Sequence, residues 1–343
     1  MTTPPPTDLQ PLAIRPLLPA DGPAALRCHN LTFAEVMPGH AERSLAHWRW
    51  KFEATPAQRL MQMLAVHPHD GVVGVYGSVP LRTTFGGRRS LAAQGVDHCV
   101  RPAFLRHGGQ HGLFAALGQS FLDRWLGAHD GQAQFVYGLP GAGWRSGQKH
   151  LGWQIARDWD ITFRNLPAGE PPRSVPADLV VRHVERFGPD TDALFARLEP
   201  GFGVATVRDS AYLNWRYATH PDRRYVLGEC RERASDRLRG IFVYGTGDLL
   251  CRFTGYLVDW LQAVDDGDTM TAMLAAAEAE ARRDGTGMVC SVWNHTDRRF
   301  VAMQEHGYRV QGTPWFLAVV SAIYDPIFFR ENWYFTIGDC DFV

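Results

Sequence analysis

A short loop that leads into a helix carries the residues best suited to hold an anion. Its seven residues are Arg106, His107, Gly108, Gly109, Gln110, His111 and Gly112. The first turn of a helix presents unpaired N–H groups and the positive end of a dipole, and glycines let the backbone approach a phosphate closely. A guanidinium adds a bidentate contact, and a histidine adds another. The pattern predicts a phosphate site, with a plain glycine-rich turn as the alternative.

The sequence that follows the loop predicts the helix itself. Five apolar residues fall on one face at spacings of three and four: Leu113, Phe114, Leu117, Phe121 and Trp125. Two common nucleotide motifs do not fit the loop. A P-loop needs Lys-Ser/Thr after the glycines, and the G-x-G-x-x-G fingerprint is not matched either.

The elements around the loop occur twice in the chain. The segments WKFEATP (50–56) and WRYATHP (215–221) share a Trp-cation-aromatic pattern and a final proline. Each precedes two β-like runs, a strand with Val-Asp (96–97 and 258–259), a helix, an apolar strand and a Gly-aromatic pair. We predict two α/β modules, at 10–165 and 179–343, joined by a proline-rich linker at 166–178. Only the first module contains the basic loop.

The repeated aromatic residues have two interpretations. Trp48, Trp50, Phe52, Trp215 and Tyr217 could form a stacking platform for a sugar or base. Their presence in both copies favours a role in the core.

Composition restricts the function classes. Of 343 residues, 45% are apolar and 21% charged, with a net charge of −1, so no basic field points to nucleic acid or an anionic membrane. The first residues lack a signal-peptide pattern, and no apolar run is long enough to span a bilayer. The six cysteines are dispersed, which favours reduced thiols over disulfides or zinc. We expect a cytoplasmic protein without metal.

Two stretches carry a resemblance to a known family. VRPAFLRHGGQHGLFAAL resembles the V-x-P-x-x-R-x-x-G-x-G/A segment of the GNAT superfamily of acyl-CoA N-acyltransferases. FVYGLPGAGWRSGQKHLGW is similar to that family's next strand and helix. The whole chain resembles the tandem GNAT arrangement. This implies an α/β fold of two GNAT-like modules, each a mixed, mostly antiparallel twisted sheet flanked by helices.

The resemblance implies a donor site in the first module. The donor would be acetyl-CoA or another acyl-CoA, with its pyrophosphate on the backbone amides of the loop. Pantetheine would bind the amides near Cys99 and Val100. One departure is that the family has Gly or Ala where this chain has His111, so the loop is longer than usual.

It also implies direct acyl transfer, with acetyl as the expected group, to the amine of a small molecule such as an amino sugar or an amino acid-like metabolite. His98 has the pKa suited to a general base, and Asp97 could instead hold the acceptor ammonium. Strand side chains alternate, so only one of the two faces the cleft. Tyr137 is a candidate acid, because the family's usual tyrosine aligns with Gln148. A structural role is the alternative for each.

Three further candidates come from position alone. Glu35 and His40 stand where the family places its acceptor-facing lid, and Val343 would supply a terminal carboxylate as base. Asp259, the repeat counterpart of Asp97, favours a scaffold role for both carboxylates. A homodimer stays open.

Two other functions remain open at this point. One is a non-catalytic protein that binds acyl-CoA or serves as a scaffold, favoured by the irregular loop. The other is a FemAB-like aminoacyl transferase, which would not need a pyrophosphate loop.

Overall fold

The computed structural model describes residues 12–107, 111–140, 144–248 and 252–341. They divide into two compact units. The first unit comprises Met1–Leu81, Leu91–Ile155 and Ala318–Tyr324. The second comprises Arg82–Ser90, Ala156–Leu317 and Asp325–Val343.

Strands and helices follow one another in a similar order in both halves of the chain. The elements of the N-terminal half are β1 (Ala13–Pro16), α1 (Gly22–Val36), α2 (Leu45–Phe52), β2 (Met61–His67), β3 (Gly71–Phe85), β4 (Arg88–Val100), α3 (Gly112–Trp125), β5 (Phe135–Gly138), α4 (Trp144–Leu151), β6 (Gln154–Asp158) and β7 (Ile161–Asn165). Those of the C-terminal half are β8 (Leu179–Val184), α5 (Pro189–Leu198), β9 (Val204–Thr206), α6 (Ser210–Leu213), β10 (Val226–Glu232), β11 (Leu238–Gly247), β12 (Thr254–Gln262), α7 (Gly267–Asp284), β13 (Met288–Ser291), α8 (Arg298–Glu305), β14 (Arg309–Gln311), β15 (Phe316–Ser321), α9 (Pro326–Asn332) and β16 (Trp333–Tyr334).

The main sheet of the first unit has the strand order β1-β2-β3-β4-β5-β15-β6. Its β1–β2, β2–β3 and β5–β15 pairs are antiparallel, and its β4–β5 pair is parallel. The predicted turn HPHDG connects β2 to β3, where Gly71 adopts a left-handed φ of 70°. The sheet is mixed and mostly antiparallel, which confirms the predicted fold class.

The sheet of the second unit repeats this plan in the order β14-β7-β13-β12-β11-β10-β8. Its β8–β10, β10–β11, β11–β12, β7–β13 and β7–β14 pairs are antiparallel. Its β12–β13 pair is parallel. Within the same unit, β9 pairs with the end of β3 at 83–85 and with β16.

One strand from each half of the chain belongs to the sheet of the other half's unit. β15, near the end of the chain, pairs with β5 through Ala318–Gly138 and Ser321–Phe135. β7, from the first half, pairs with β13 and β14. The predicted modules at 10–165 and 179–343 follow chain order. The compact units differ from them because β15 belongs to the first unit and β7 to the second.

The repeat extends to the residues that begin equivalent helices. Ser44 caps α2 by accepting from the backbone N–H of His47 at 3.0 Å. Asp209, 165 residues later, caps α6 by accepting from that of Tyr212 at 2.9 Å. Such caps satisfy backbone donors that the helix leaves unpaired.

The repeated aromatics are core residues, as predicted. All five (Trp48, Trp50, Phe52, Trp215 and Tyr217) are at most 8% exposed. On α3, the side chains of Leu113, Leu117 and Phe121 are fully buried, so the predicted apolar face is the buried face.

The segment 166–178 contains no helix or strand, and the second unit anchors it. Glu170 pairs with Arg164 at 2.6 Å and with Arg282 at 3.0 Å. Arg173 binds the buried carboxylate of Glu278 at 2.8 Å. The predicted linker is therefore fixed to this unit.

Candidate functional site

Two neighbouring strands of the first unit part in the middle of the sheet. The parallel ladder between β4 and β5 consists of three pairs and ends at Gln94–Tyr137. β5 ends at Gly138, whereas β4 continues to Val100. A Cβ on Gly138 would lie 3.2 Å from the carbonyl oxygen of Gly95, so the chains are close where they separate. We call this place the β4–β5 fork; the amides of β4 beyond it are free of β5.

A backbone irregularity in β4 lies just beyond the fork. Asp97 adopts a left-handed φ of 56°, which is uncommon for a residue other than glycine. Its carboxylate binds Nη1 of Arg43, and Lys51 Nζ lies 2.9 Å from Oδ2. Burial alone would raise the pKa of Asp97, but the charges of Lys51 and Arg43 outweigh it and hold that pKa well below its usual range. Asp97 is thus an ion-pair partner.

The second unit contains a counterpart of this ion pair. Arg208, 165 residues after Arg43, donates from Nε to Oδ1 of Asp259 at 2.7 Å. The hydroxyl of Tyr217 donates to Oδ2 of Asp259 at 2.8 Å. An Arg–Asp pair at matching positions of both copies favours the scaffold role for Asp97 over that of a partner for the acceptor ammonium.

His98 lies at the fork itself. Its Nε2 is 2.8 Å from the carbonyl oxygen of Gly77, so this nitrogen carries the proton and Nδ1 keeps a lone pair. The ring stacks on Tyr76 with centroids 3.8 Å apart, and a Cβ on Gly95 would lie 3.1 Å from its Cε1. Burial lowers the pKa of His98 to about 4, against the opposing effects of Gly77 and Asp97. The imidazole is therefore neutral at pH 7, and its pKa lies below the near-neutral value expected from the sequence, because the ring is buried.

Other predicted site residues line or flank the fork. Tyr137 is the last residue of β5 paired with β4 and is 1% exposed. Cys99 and Val100 follow His98 with buried side chains. Gln148 on α4 is exposed.

The loop prediction is only partly within the described residues. Gly108, Gly109 and Gln110 lie outside them. The backbone N–H of His107 bonds to the Phe104 carbonyl at 3.0 Å, and that of Leu113 bonds to the Leu105 carbonyl at 3.2 Å. These two amides are therefore already used within the protein.

The described side chains of the loop stay available for a ligand. Arg106 is exposed and forms no ion pair with the described part of the chain. The exposed His111, which precedes α3, stacks on His150 with centroids 4.2 Å apart. Gly112 begins α3 with φ 79°, and a Cβ there would lie 2.7 Å from the Leu105 carbonyl oxygen. Only glycine fits that position.

Sequence reasoning missed a small cavity beside Asp97, enclosed by α1, α2, β2 and β3. Its polar lining residues are His29, Arg43, His47, Gln62 and Asp97. None of these except Asp97 stood out as a motif. The signal available in the sequence was that Arg43 and Lys51 align with Arg208 and Arg216 of the second copy.

The three residues predicted from position alone, His40, Glu35 and Val343, differ in their surroundings. The ring of His40 packs against that of His29, with centroids 5.7 Å apart, and His40 is not among the residues that line the cavity. Glu35 is exposed on α1, without a hydrogen bond or ion pair to the described residues. Val343 lies outside the described residues.

The second unit also has a fork, but side chains fill it. The β12–β13 ladder ends at Tyr256–Cys290, and β12 continues to Gln262. Large aromatic side chains pack around that stretch: Trp260 and Trp293, with ring centroids 5.8 Å apart, and Tyr334, whose hydroxyl donates to the Trp260 carbonyl. Four residues separate β12 from α7, against eleven between β4 and α3. The longer loop is thus confined to the first copy, as the repeat comparison indicated.

The described part of the chain lacks both a cluster of metal ligands and a membrane-spanning helix. No set of three or more His, Cys, Asp or Glu side chains is placed to share a metal ion. No helix there has the length and apolarity to cross a membrane.

Comparisons with known proteins give structural relatives. No family model and no curated protein sequence matches the chain. A probable N-acyltransferase from Enterococcus faecalis aligns with a TM-score of 0.64 at 12% identity, over 93% of this chain and 74% of that one. N-myristoyltransferase from Saccharomyces cerevisiae, with bound myristoyl-CoA, aligns with a TM-score of 0.56 at 11% identity over 95% and 86%.

A tandem GNAT protein from the clavulanic acid biosynthesis pathway aligns with a TM-score of 0.54 at 14% identity. The match covers 92% of this chain and all of that one. The chain therefore has the tandem GNAT fold.

Proposed function

We propose that this tandem GNAT chain is an N-acyltransferase that moves an acyl group, most simply acetyl, from coenzyme A to the amine of a small molecule. The donor would bind in the first module only. The five cysteines within the described residues are free thiols, which fits work in a reducing compartment such as the cytoplasm.

The β4–β5 fork is the observation that carries this proposal. Beyond Gln94 and Tyr137, β4 runs on without β5 as a neighbour. Backbone amides there, near Cys99 and Val100, can bind the amide groups of pantetheine and polarise a thioester carbonyl. In the second unit the equivalent place is filled by Trp260 and Trp293.

The phosphates would lie at the start of α3. Arg106 supplies an exposed guanidinium, and the N-terminus of α3 supplies the positive end of a helix dipole. Because the amides of His107 and Leu113 are bonded internally, the side chains carry more of this contact than the family pattern implies.

The chemistry needs one C–N bond to form and one C–S bond to break. The amine nitrogen attacks the thioester carbon, and Nδ1 of His98 accepts the proton that this nitrogen loses. The leaving thiolate takes up a proton, for which Tyr137 at the fork is the candidate donor. Proximity of the two bound substrates supplies much of the rate.

A thermal-shift panel of acetyl-CoA and longer acyl-CoAs tests donor binding, because a ligand that binds only the folded state raises its stability. We expect a clear rise in melting temperature for the wild type and a loss of most of it in Arg106→Ala. Arg88→Ala removes an equally exposed charge from the far end of β4 and is the matched control. No rise for any acyl-CoA, or a rise that survives in Arg106→Ala, would contradict the proposed donor site.

A non-catalytic acyl-CoA-binding protein is the second candidate. The exposed Gln148, where the family often has a tyrosine, favours it. Release of free thiol from acetyl-CoA in the presence of amines separates the two, because a binding protein would bind the donor without turnover.

A further inference from the structure

Two buried polar side chains of the first unit have no hydrogen-bond partner. The ring nitrogens of His29 and the side-chain amide atoms of Gln62 are enclosed, and none of them bonds to the described residues. His29 is 5% exposed and Gln62 is 1% exposed. Buried polar groups are normally hydrogen-bonded, because burial removes the water that would otherwise satisfy them. Both side chains line the cavity beside Asp97, so a group that enters this cavity can supply the missing bonds.

The cavity has room for one water-sized group. Its volume is about 10 Å³, and it is partly open. Trp48, Phe52 and Val75 form an apolar part of its wall. A carboxylate or a phosphate is too large for this space, and a methyl group would leave the polar atoms of the wall unpaired. A single hydroxyl group fits.

The second copy has apolar side chains in place of the two polar ones. His29 lies seven residues after the Gly of a Gly-Pro pair, and the same count in α5 reaches Phe195. Gln62 lies six residues after Pro56, and the same count after Pro221 reaches Leu227. Phe195 is 1% exposed and Leu227 is 4% exposed. The scaffold therefore does not need a polar pair at these positions.

A glycine opens the space between the two polar side chains and β4. Gln62 pairs with Gly77 across β2 and β3, and its counterpart Leu227 pairs with Val243 across β10 and β11. Gly77 lines the cavity, and a Cβ on it would lie 3.6 Å from the side chain of Gln62. Val243, at the matching place, is fully buried. The polar cavity is thus specific to the copy with the open fork.

The hydrogen-bonding groups of the cavity match a hydroxyl. Burial lowers the pKa of His29 to about 4, so at pH 7 its neutral ring has one N–H donor and one lone pair. The amide of Gln62 also has both donors and an acceptor. Because a hydroxyl donates and accepts, it can bond to both side chains. An ammonium ion only donates, and it would place a charge against the apolar part of the wall.

The cavity lies beside the proposed base. The carbonyl oxygen of Gly77, a residue that lines the cavity, is 2.8 Å from Nε2 of His98. In the proposed reaction Nδ1 of His98 takes the proton of the amine, so the amine lies at the fork and the cavity is left for another group. A second polar group of the same small acceptor is within reach of this cavity.

We propose that the cavity binds a hydroxyl group of the acceptor and that the acceptor is therefore an amino alcohol, a class to which amino sugars belong. His29 and Gln62 are the residues that determine this specificity. The inference rests on the proposed acyl transfer, of which it names the substrate class.

Two matched pairs of amines test the site. They are ethanolamine against ethylamine, and 3-aminopropanol against propylamine, and the members of a pair differ only in the hydroxyl. Calorimetric titration in the presence of coenzyme A measures the four affinities. We expect at least one amino alcohol to bind about tenfold or more tightly than its partner, because the alkylamine leaves the buried polar atoms unpaired. The ratio of kcat/KM values, followed by thiol release from acetyl-CoA, should show the same preference.

The second copy supplies the variants, Gln62→Leu and His29→Phe. Each should keep a cooperative thermal transition, bind the alkylamines within about threefold of the wild type, and lose most of the preference for the amino alcohol. Comparing the same pair of amines in wild type and variant cancels the lower basicity of the amino alcohol.

Thr55→Val is the matched control. Thr55 is 1% exposed, its hydroxyl has no hydrogen-bond partner among the described residues, and it does not line the cavity. This variant should keep the preference of the wild type.

The outcomes separate this inference from the proposed function. Acetyl-CoA binding without a preference for either amino alcohol would overturn the hydroxyl site alone and leave the cavity to an ordered water. An equal preference in the wild type and both cavity variants, or its loss in Thr55→Val as well, would also overturn the site. A preference that depends on Gln62 and His29 in a protein that does not bind acetyl-CoA would support the hydroxyl site and contradict the donor site.

Discussion

Charged residues beside the fork serve mainly to hold one another. Asp97 neutralises part of the charge of Arg43 and of Lys51, whose side chain is 3% exposed. In the second unit Asp259 likewise neutralises Arg208, and both side chains are fully buried. Removing one member leaves an uncompensated buried charge, which costs far more than the pair itself contributes.

The Asp97→Asn variant tests this at the residue scale. We expect a loss of about 3 kcal/mol of unfolding free energy at pH 7 by urea denaturation. Because the folded pKa of Asp97 is depressed, its contribution is present above about pH 4 and is lost as the pH falls toward the folded value. The difference from wild type should therefore shrink at pH 3. Asp70→Asn, on a carboxylate 45% exposed, should cost less than about 1 kcal/mol; an equal loss in both would refute the argument.

His98 makes a second prediction at this scale. With its pKa lowered to about 4, the ring stays neutral from pH 6 to 8 and becomes protonated only in acid. If it accepts the proton of the amine, kcat at saturating amine should be level across that range and fall below about pH 5. His98→Ala should lower kcat about 100-fold or more. A pH profile unchanged by the substitution would assign the proton transfer to another group.

The role of a single residue was predictable where its chemical type fits the position that the repeat or the resemblance gives it. His98 and Tyr137 flank the fork, and the repeated tryptophans are core, as the duplicated pattern indicated. His29 and Gln62 escaped prediction because a lone histidine or glutamine on a helix or strand has no sequence signature. Both ring nitrogens of His29 and both side-chain amide atoms of Gln62 lack a hydrogen-bond partner among the described residues, which only the packing reveals.

Two elements would position the donor at the proposed site. One is the parallel β4–β5 ladder, which ends after three residue pairs. The other is α3, whose first residue, Gly112, fixes where the helix starts. The order of strand, loop and helix could be predicted from the sequence. The fork could not, since sequence patterns indicate strands but not where a ladder between them stops.

Gly112 is the element-scale test, because its φ is 79° and a Cβ would lie 2.7 Å from the Leu105 carbonyl oxygen. Gly112→Ala should displace the start of α3 and abolish most of the acetyl-CoA thermal shift. Gly87→Ala is matched for backbone strain, with φ 77° and nothing within 4 Å of its Cβ position. It should lose about 1–2 kcal/mol of stability and keep the shift. Equal losses of the shift would remove the special role of Gly112.

At the scale of the whole molecule, the two copies were recognisable but their boundaries were not. Strand exchange cannot be predicted from hydrophobic patterns, because the sequence of an exchanged strand has the same pattern as that of any other strand. β15 (FLAVVS) is an apolar segment and β7 (ITFRN) is of mixed polarity, and each lies where a repeat should have its last strand.

The exchange predicts that the halves do not fold alone. A fragment ending at Asn165 lacks β15, which stands between β5 and β6. We expect it to show no cooperative thermal unfolding, and a fragment of 179–343, which lacks β7, to behave likewise. Co-expression of residues 1–165 with residues 166–343 should restore a cooperative transition. Cooperative unfolding of either fragment alone would argue against the importance of the exchanged strands.

The central claim is that one donor site exists, at the fork of the first module. Calorimetric titration with acetyl-CoA measures it most directly, in the wild type and in Gly95→Leu, which introduces the residue that the second copy has at this position, Leu257. A Cβ there would lie 3.1 Å from Cε1 of His98 and 3.5 Å from the carbonyl oxygen of Tyr137, the last residue of β5 that pairs with β4. We expect one acetyl-CoA per chain and at least tenfold weaker binding in the variant, which should keep a cooperative thermal transition although the added side chain crowds His98. Two sites per chain, or unchanged binding in Gly95→Leu, would contradict the central claim.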